Sequence, residues 1–81
     1  MWFVYIVQNL KGHFYTGITT DVSRRFQEHQ QSKKGAKFFR SSPAVQIVFQ
    51  KEFPNRSLAT KYEIFVKKLK RHQKIELMKL H

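Results

Sequence analysis

Tyr5, Tyr15, Arg25, His29 and Glu63 are the side chains of this sequence whose types and spacing point to chemistry. Phenols beside a cation can orient or deprotonate a water, and a guanidinium fork grips a phosphate. An imidazole can shuttle a proton, and a carboxylate in a field of lysines can hold a hard divalent ion such as Mg²⁺ (or Mn²⁺) with waters and phosphate oxygens. Tyr5 lies in Val4-Tyr5-Ile6, Tyr15 in Tyr15-Thr16-Gly17, and Asp21-Val22-Ser23-Arg24-Arg25-Phe26 with His29 follows.

Each of these residues also has a plainer reading. Tyrosines pair across strands, and Glu63 is four residues before Lys67, the spacing of an ordinary helix ion pair. His29 is either a proton carrier or a cation at a helix C-terminus. A base role for either phenol requires a pKa lowered by a nearby cation such as Arg25. His13, His72 and His81 fit no metal-ligand spacing with one another.

The elements that would position these groups can be read from the pattern. Residues 2–7 are aromatic and β-branched, Asn9-Leu10-Lys11-Gly12 has turn chemistry, and residues 14–18 resume the strand pattern, which predicts a hairpin. Thr19-Thr20-Asp21 offers capping oxygens for a helix over about 21–31. On its wheel Val22, Phe26 and His29 share a face that includes Arg25, while Arg24, Gln27 and Glu28 fall on the solvated side. Residues 31–42 read as a loop, 45–49 as a third strand, and Asn55 or Ser57 as the cap of a second helix. That helix carries Leu58, Tyr62, Phe65, Val66 and Leu69 as its apolar stripe, with Glu63 beside it. A short third helix with Ile75, Leu77, Met78 and Leu80 closes the core. The expectation is an α/β (α+β) fold, a three-stranded antiparallel sheet flanked by helices in the order β-β-α-β-α-α, filling residues 1–81 as a single domain.

Eighty-one residues with 41% hydrophobic and 15% aromatic content support a folded core. Sixteen lysines and arginines against five acidic residues give a net charge of +11, the footprint of a phosphate-backbone binder. Lys33, Lys34, Lys37 and Arg40, interleaved with Phe38 and Phe39, could grip a backbone and stack a base. No cysteine is present, which removes disulfides and thiolate chemistry. The first ten residues lack the pattern of a secretory leader or a membrane span, so a cytoplasmic protein with no membrane association is expected.

Together these residues, in this order and spacing, resemble the GIY-YIG nuclease superfamily in its small single-domain bacterial form. Val4-Tyr5-Ile6 matches the first signature, Tyr15-Thr16-Gly17 the second, residues 21–25 with His29 the helix motif, and Glu63 the later helix. Gly35-Ala36-Lys37 is similar to a loop of the same proteins. Val4 stands where the name-giving motif has glycine and Thr16 where it has isoleucine, and neither change removes a chemical group. The resemblance implies a divalent-metal-dependent endonuclease that hydrolyses DNA phosphodiesters, with a role in repair, recombination or DNA turnover. It gives Tyr5 or Tyr15 the activation of water, Arg25 the scissile phosphate, His29 proton transfer or phosphate contact, and Glu63 the metal. Single-stranded or branched DNA is the expected substrate, with RNA left open and a protein partner a further source of selectivity. The alternative from the same residues is a non-catalytic or partner-dependent nucleic-acid-binding module. A third class is a protein-interaction domain with an acidic partner.

Overall fold

The computed structural model describes residues 1–31 and 37–80. The hairpin forms as its residues require: strand β1 spans Trp2–Asn9 and strand β2 Phe14–Thr19, paired antiparallel with Tyr5 opposite Gly17. Gly12 takes the left-handed conformation at φ +87° that the turn needs. The Asn9 side-chain oxygen accepts from the His13 amide at 2.8 Å, which closes the turn.

Strand β3, Ala44–Phe53, pairs antiparallel with the other edge of β1, so the sheet order is β2-β1-β3. It runs well past the 45–49 expected from sequence. The extra residues Gln50, Lys51 and Glu52 are polar because β3 is an edge strand, with water on one side of its ladder. Helix α1 spans Val22–Gln30, helix α2 Arg56–Lys67 and helix α3 Arg71–Lys79, completing the β-β-α-β-α-α order. Asp21 caps α1 by accepting from the Arg24 amide, and Asn55 caps α2 by accepting from the Leu58 amide.

Side-chain alternation along the central strand divides the core in two. Val4 and Ile6 face Phe49, Ala59 and Val66, with Tyr62 of α2 and Leu77 and Met78 of α3 packed around them. Tyr5 and Val7 face the other way, onto Val22 of α1, Phe39 and Ala44. The catalytic candidates Tyr5 and Tyr15 therefore lie on the α1 side of the sheet.

The α2 stripe needs correction. Leu58 and Phe65 are exposed, and the buried residues of α2 are Ala59 and Val66. A small residue at the contact lets the helix axis approach the sheet closely, so Ala59 is the inward position and the larger apolar neighbours turn outward. Leu80 is exposed as well, while Ile75, Leu77 and Met78 are half-buried.

Residues 31–42 are not wholly irregular. Lys37–Phe39 forms a single 3₁₀ turn that buries Phe39 against the α1-side core and half-buries Phe38. Phe39 is thereby removed as a base-stacking surface. No helix among the described residues is long and apolar enough to cross a membrane.

Candidate active site

The site begins with a backbone choice. Gly17 lies opposite Tyr5, and a Cβ there would stand 2.7 Å from the Tyr5 hydroxyl and 3.1 Å from Tyr15 Cε2. The missing side chain leaves the space into which the Tyr5 ring folds across its partner strand. Tyr15 lies alongside, with ring centroids 6.4 Å apart.

Helix α1 delivers His29 to the same place. Its ring packs on Tyr15 at 5.1 Å and on Phe39 at 4.5 Å, and its Nε2 lies 2.8 Å from the Tyr5 hydroxyl. Tyr5 and His29 are each 1% exposed. Burial, reinforced by the Arg25 charge, pushes His29 down to about 4, so the ring is neutral at neutral pH. A neutral ring with a phenol beside it is best satisfied when the Tyr5 O–H donates to Nε2 and the remaining proton sits on Nδ1. His29 is not a helix-capping cation: the cap of α1 is the Gln31 amide, which donates to the Glu28 carbonyl at 3.1 Å.

The expected lowering of a phenol pKa is reversed at Tyr5. Burial drives it well above the ordinary tyrosine value, with the neighbouring Tyr15 adding to the rise and Arg25 opposing it. Desolvation of a phenolate inside the core outweighs the attraction of a guanidinium at the core's edge.

Arg25 is partly exposed and close enough for its charge to act on Tyr5. Its Nη1 donates to Glu28 Oε1 at 2.9 Å, and that hydrogen bond holds the guanidinium above its ordinary pKa. Glu28 is thus half-buried at the site and not on a solvated face, because a carboxylate three residues on satisfies the inward-leaning arginine. Sequence reasoning missed Glu28; the i,i+3 spacing to Arg25 is the signal that could have found it.

Glu63 comes from α2 on the opposite face of the sheet, with its side chain 16% exposed and Oε2 3.3 Å from Lys67 Nζ. Its charge still reaches the Tyr5 phenol and adds slightly to the rise of its pKa. Among the described residues no three His, Cys, Asp or Glu side chains gather into a closed cage. One largely buried carboxylate with its second oxygen unengaged among the described residues is the donor set of an ion that keeps most of its waters, which fits magnesium or manganese. Of the sequence-selected backbone grips, Lys37 and Arg40 are exposed, Phe38 packs on Tyr15 at 5.6 Å, and Lys33 and Lys34 lie outside the described residues, as do Gly35 and Ala36.

The sheet presents two tyrosines to an imidazole, next to an ion-paired arginine, and residues 1–76 match the GIY-YIG catalytic domain. The chain belongs to that family, a nuclease family whose domains act on DNA. It is 46% identical over 78 residues to the UPF0213 protein DP2720 of Desulfotalea psychrophila, covering 96% of this chain and 71% of that one. It is also 46% identical over 77 residues to the UPF0213 protein YhbQ of Escherichia coli K12, covering 95% and 76%. The solution NMR structure of the UPF0213 protein BH0048 from Bacillus halodurans superposes with a TM-score of 0.62 at 41% identity, covering 99% of this chain and 85% of that chain.

Proposed function

We propose that this protein is a divalent-metal-dependent endonuclease that hydrolyses DNA phosphodiester bonds, acting on single-stranded or branched DNA. The observation that carries this reading is the buried 2.8 Å Tyr5–His29 hydrogen bond set beside the half-buried Arg25. A phenol hydrogen-bonded to a neutral imidazole can hand on a proton, and Arg25 beside Tyr5 is where a phosphate and its attacking water would arrive.

Arg25 takes the scissile phosphate on its guanidinium while Glu28 holds the group in place. Burial is the main cause of the lowered His29 basicity, and the arriving phosphate would offset the smaller part that comes from the Arg25 charge. The Tyr5 oxygen accepts a proton from the attacking water as its own proton passes to His29 Nε2. No free phenolate is needed, consistent with a phenol held above its ordinary pKa. Tyr15 walls the pair with its ring and offers a second phenol at the same face. Glu63 would hold the metal ion, which when bound supplies countercharge for the leaving 3′ oxygen.

The test is cleavage of end-labelled single-stranded, duplex and flap DNA by wild type and Glu63→Ala in matched preparations, with Mg²⁺ and with chelator. Metal-dependent cutting that the variant loses, with DNA binding retained, is expected. Equal cutting by both proteins would rule Glu63 out as the metal ligand.

A further inference from the structure

A cavity of about 370 Å³ opens where β1 begins and β2 ends, between the start of α1 and the start of α2. Arg24, Arg25 and Arg56 line it, and the single carboxylate on its wall, Glu28, is already paired with Arg25. Among the described residues neither Arg24 nor Arg56 has an acidic partner within ion-pair distance. With Arg25 offset by Glu28, the like charges of Arg24 and Arg56 are left around one hollow, and an entering anion would relieve their repulsion.

Trp2 lines the same cavity, and the Arg56 guanidinium lies over its indole ring at 5.3 Å from the centroid. A guanidinium over an indole is a cationic, π-bearing surface of the kind on which unpaired bases stack. The volume is at the small end for ligand cavities, a match for one nucleotide. Arg25 belongs both to this cavity and to the Tyr5 surroundings, so an occupant would be contiguous with the site described above.

We propose that this cavity is a nucleotide subsite. It takes one unpaired nucleotide adjoining the scissile phosphate, with that nucleotide's phosphate on Arg24 and its base on the Arg56–Trp2 platform. The assignment rests on the nuclease reading, in which Arg25 holds the scissile phosphate, and it names which part of a DNA substrate must be unpaired.

Trp2 is the single tryptophan of the chain, so its fluorescence reports the cavity directly. The full-length protein is titrated, with chelator present so that no cutting occurs, with thymidine 5′-monophosphate, thymidine and inorganic phosphate. Saturable perturbation of Trp2 emission by the monophosphate is expected, with thymidine on the order of tenfold weaker and inorganic phosphate competing. Arg56→Gln and Arg24→Gln should each weaken the monophosphate on the order of tenfold while keeping the wild-type circular dichroism and melting temperature. Arg24→Gln should also reduce the salt slope for single-stranded DNA by about 0.7. No saturable Trp2 response, or undiminished binding in both variants, overturns the subsite. A Trp2-silent site that prefers inorganic phosphate also overturns it. The titration needs neither metal nor cleavage, so DNA cutting without a Trp2 response refutes the subsite alone. A Trp2 response without DNA cutting refutes the nuclease reading while leaving a nucleotide site.

Discussion

Replacing Gly17 with alanine tests how the site is built. The added Cβ would lie 2.7 Å from the Tyr5 hydroxyl and 2.9 Å from Cζ, against an ordinary contact of 3.4 Å or more, so the ring must retreat by about 0.7 Å. A ring that is 1% exposed has no free volume to retreat into, and a 2.8 Å hydrogen bond does not survive such a shift intact. Overpacking of this kind costs about 1–3 kcal/mol, and the strained Tyr5–His29 bond adds about 1 kcal/mol. Reduced freedom of the unfolded chain returns about 0.4–1 kcal/mol. The net is a loss of about 2 kcal/mol, a fall in Tm of about 8–16 °C for a domain of this size. Calorimetry on wild type, Gly17→Ala, Tyr5→Phe and the double variant reads it. Tyr5→Phe removes the closest atom, so the double variant should be less destabilised than the sum of the two by about 0.5–1.5 kcal/mol. Gly17→Ala with unchanged Tm and additive behaviour in the cycle would refute the claim that this glycine makes room for the tyrosine.

Three further outcomes are expected. His29 titrates near 6.5 when unfolded and about 4 when folded, so the unfolded state binds more protons between those values and stability rises with pH across that window. The contribution is fully present above pH 6.5 and falls by about 3 kcal/mol by pH 4. Denaturant melts of wild type against His29→Phe should show that slope in wild type alone, and equal slopes would contradict a buried neutral imidazole. Thr16 Oγ1 is buried with no hydrogen-bond partner among the described residues, so Thr16→Val should raise stability by about 1 kcal/mol, read as a higher urea midpoint. Its hydroxyl is on the sheet face opposite Tyr5, so cleavage rate should not follow that gain. Arg25→Lys should lower kcat/KM by at least about tenfold, because an ammonium cannot reproduce the bidentate fork, and the loss should persist at low salt. An unchanged kcat/KM in steady-state kinetics would remove Arg25 from phosphate recognition.

The hairpin, the first helix and the order of elements were legible because their signals are local: β-branched alternation, Gly12 at the turn, and Asp21 at the head of a helix whose wheel gathers Val22, Phe26 and His29. The α2 face was misread because apolar bulk points to Leu58 and Phe65, whereas burial is set by how closely a helix approaches a sheet, which favours Ala59. The far end of β3 escaped because Gln50, Lys51 and Glu52 obey an edge strand's solvation and not a core pattern. Arg25 and His29 were correctly placed on the face of α1 that looks inward, but their electrostatics were not readable. Depth sets the Tyr5 and His29 shifts, and depth follows from Phe39 and the second strand closing over them, not from neighbours in sequence.

The account turns on the Tyr5–His29 relay, and Tyr5→Phe tests it most directly because only one oxygen is removed. Single-turnover cleavage of end-labelled single-stranded and flap DNA is measured for wild type and Tyr5→Phe with saturating Mg²⁺, with binding measured alongside under chelation. The relay predicts a loss of cleavage rate of about 10²-fold or more with DNA affinity essentially unchanged. Cleavage by Tyr5→Phe at the wild-type rate would contradict it and leave Tyr5 as a packing residue.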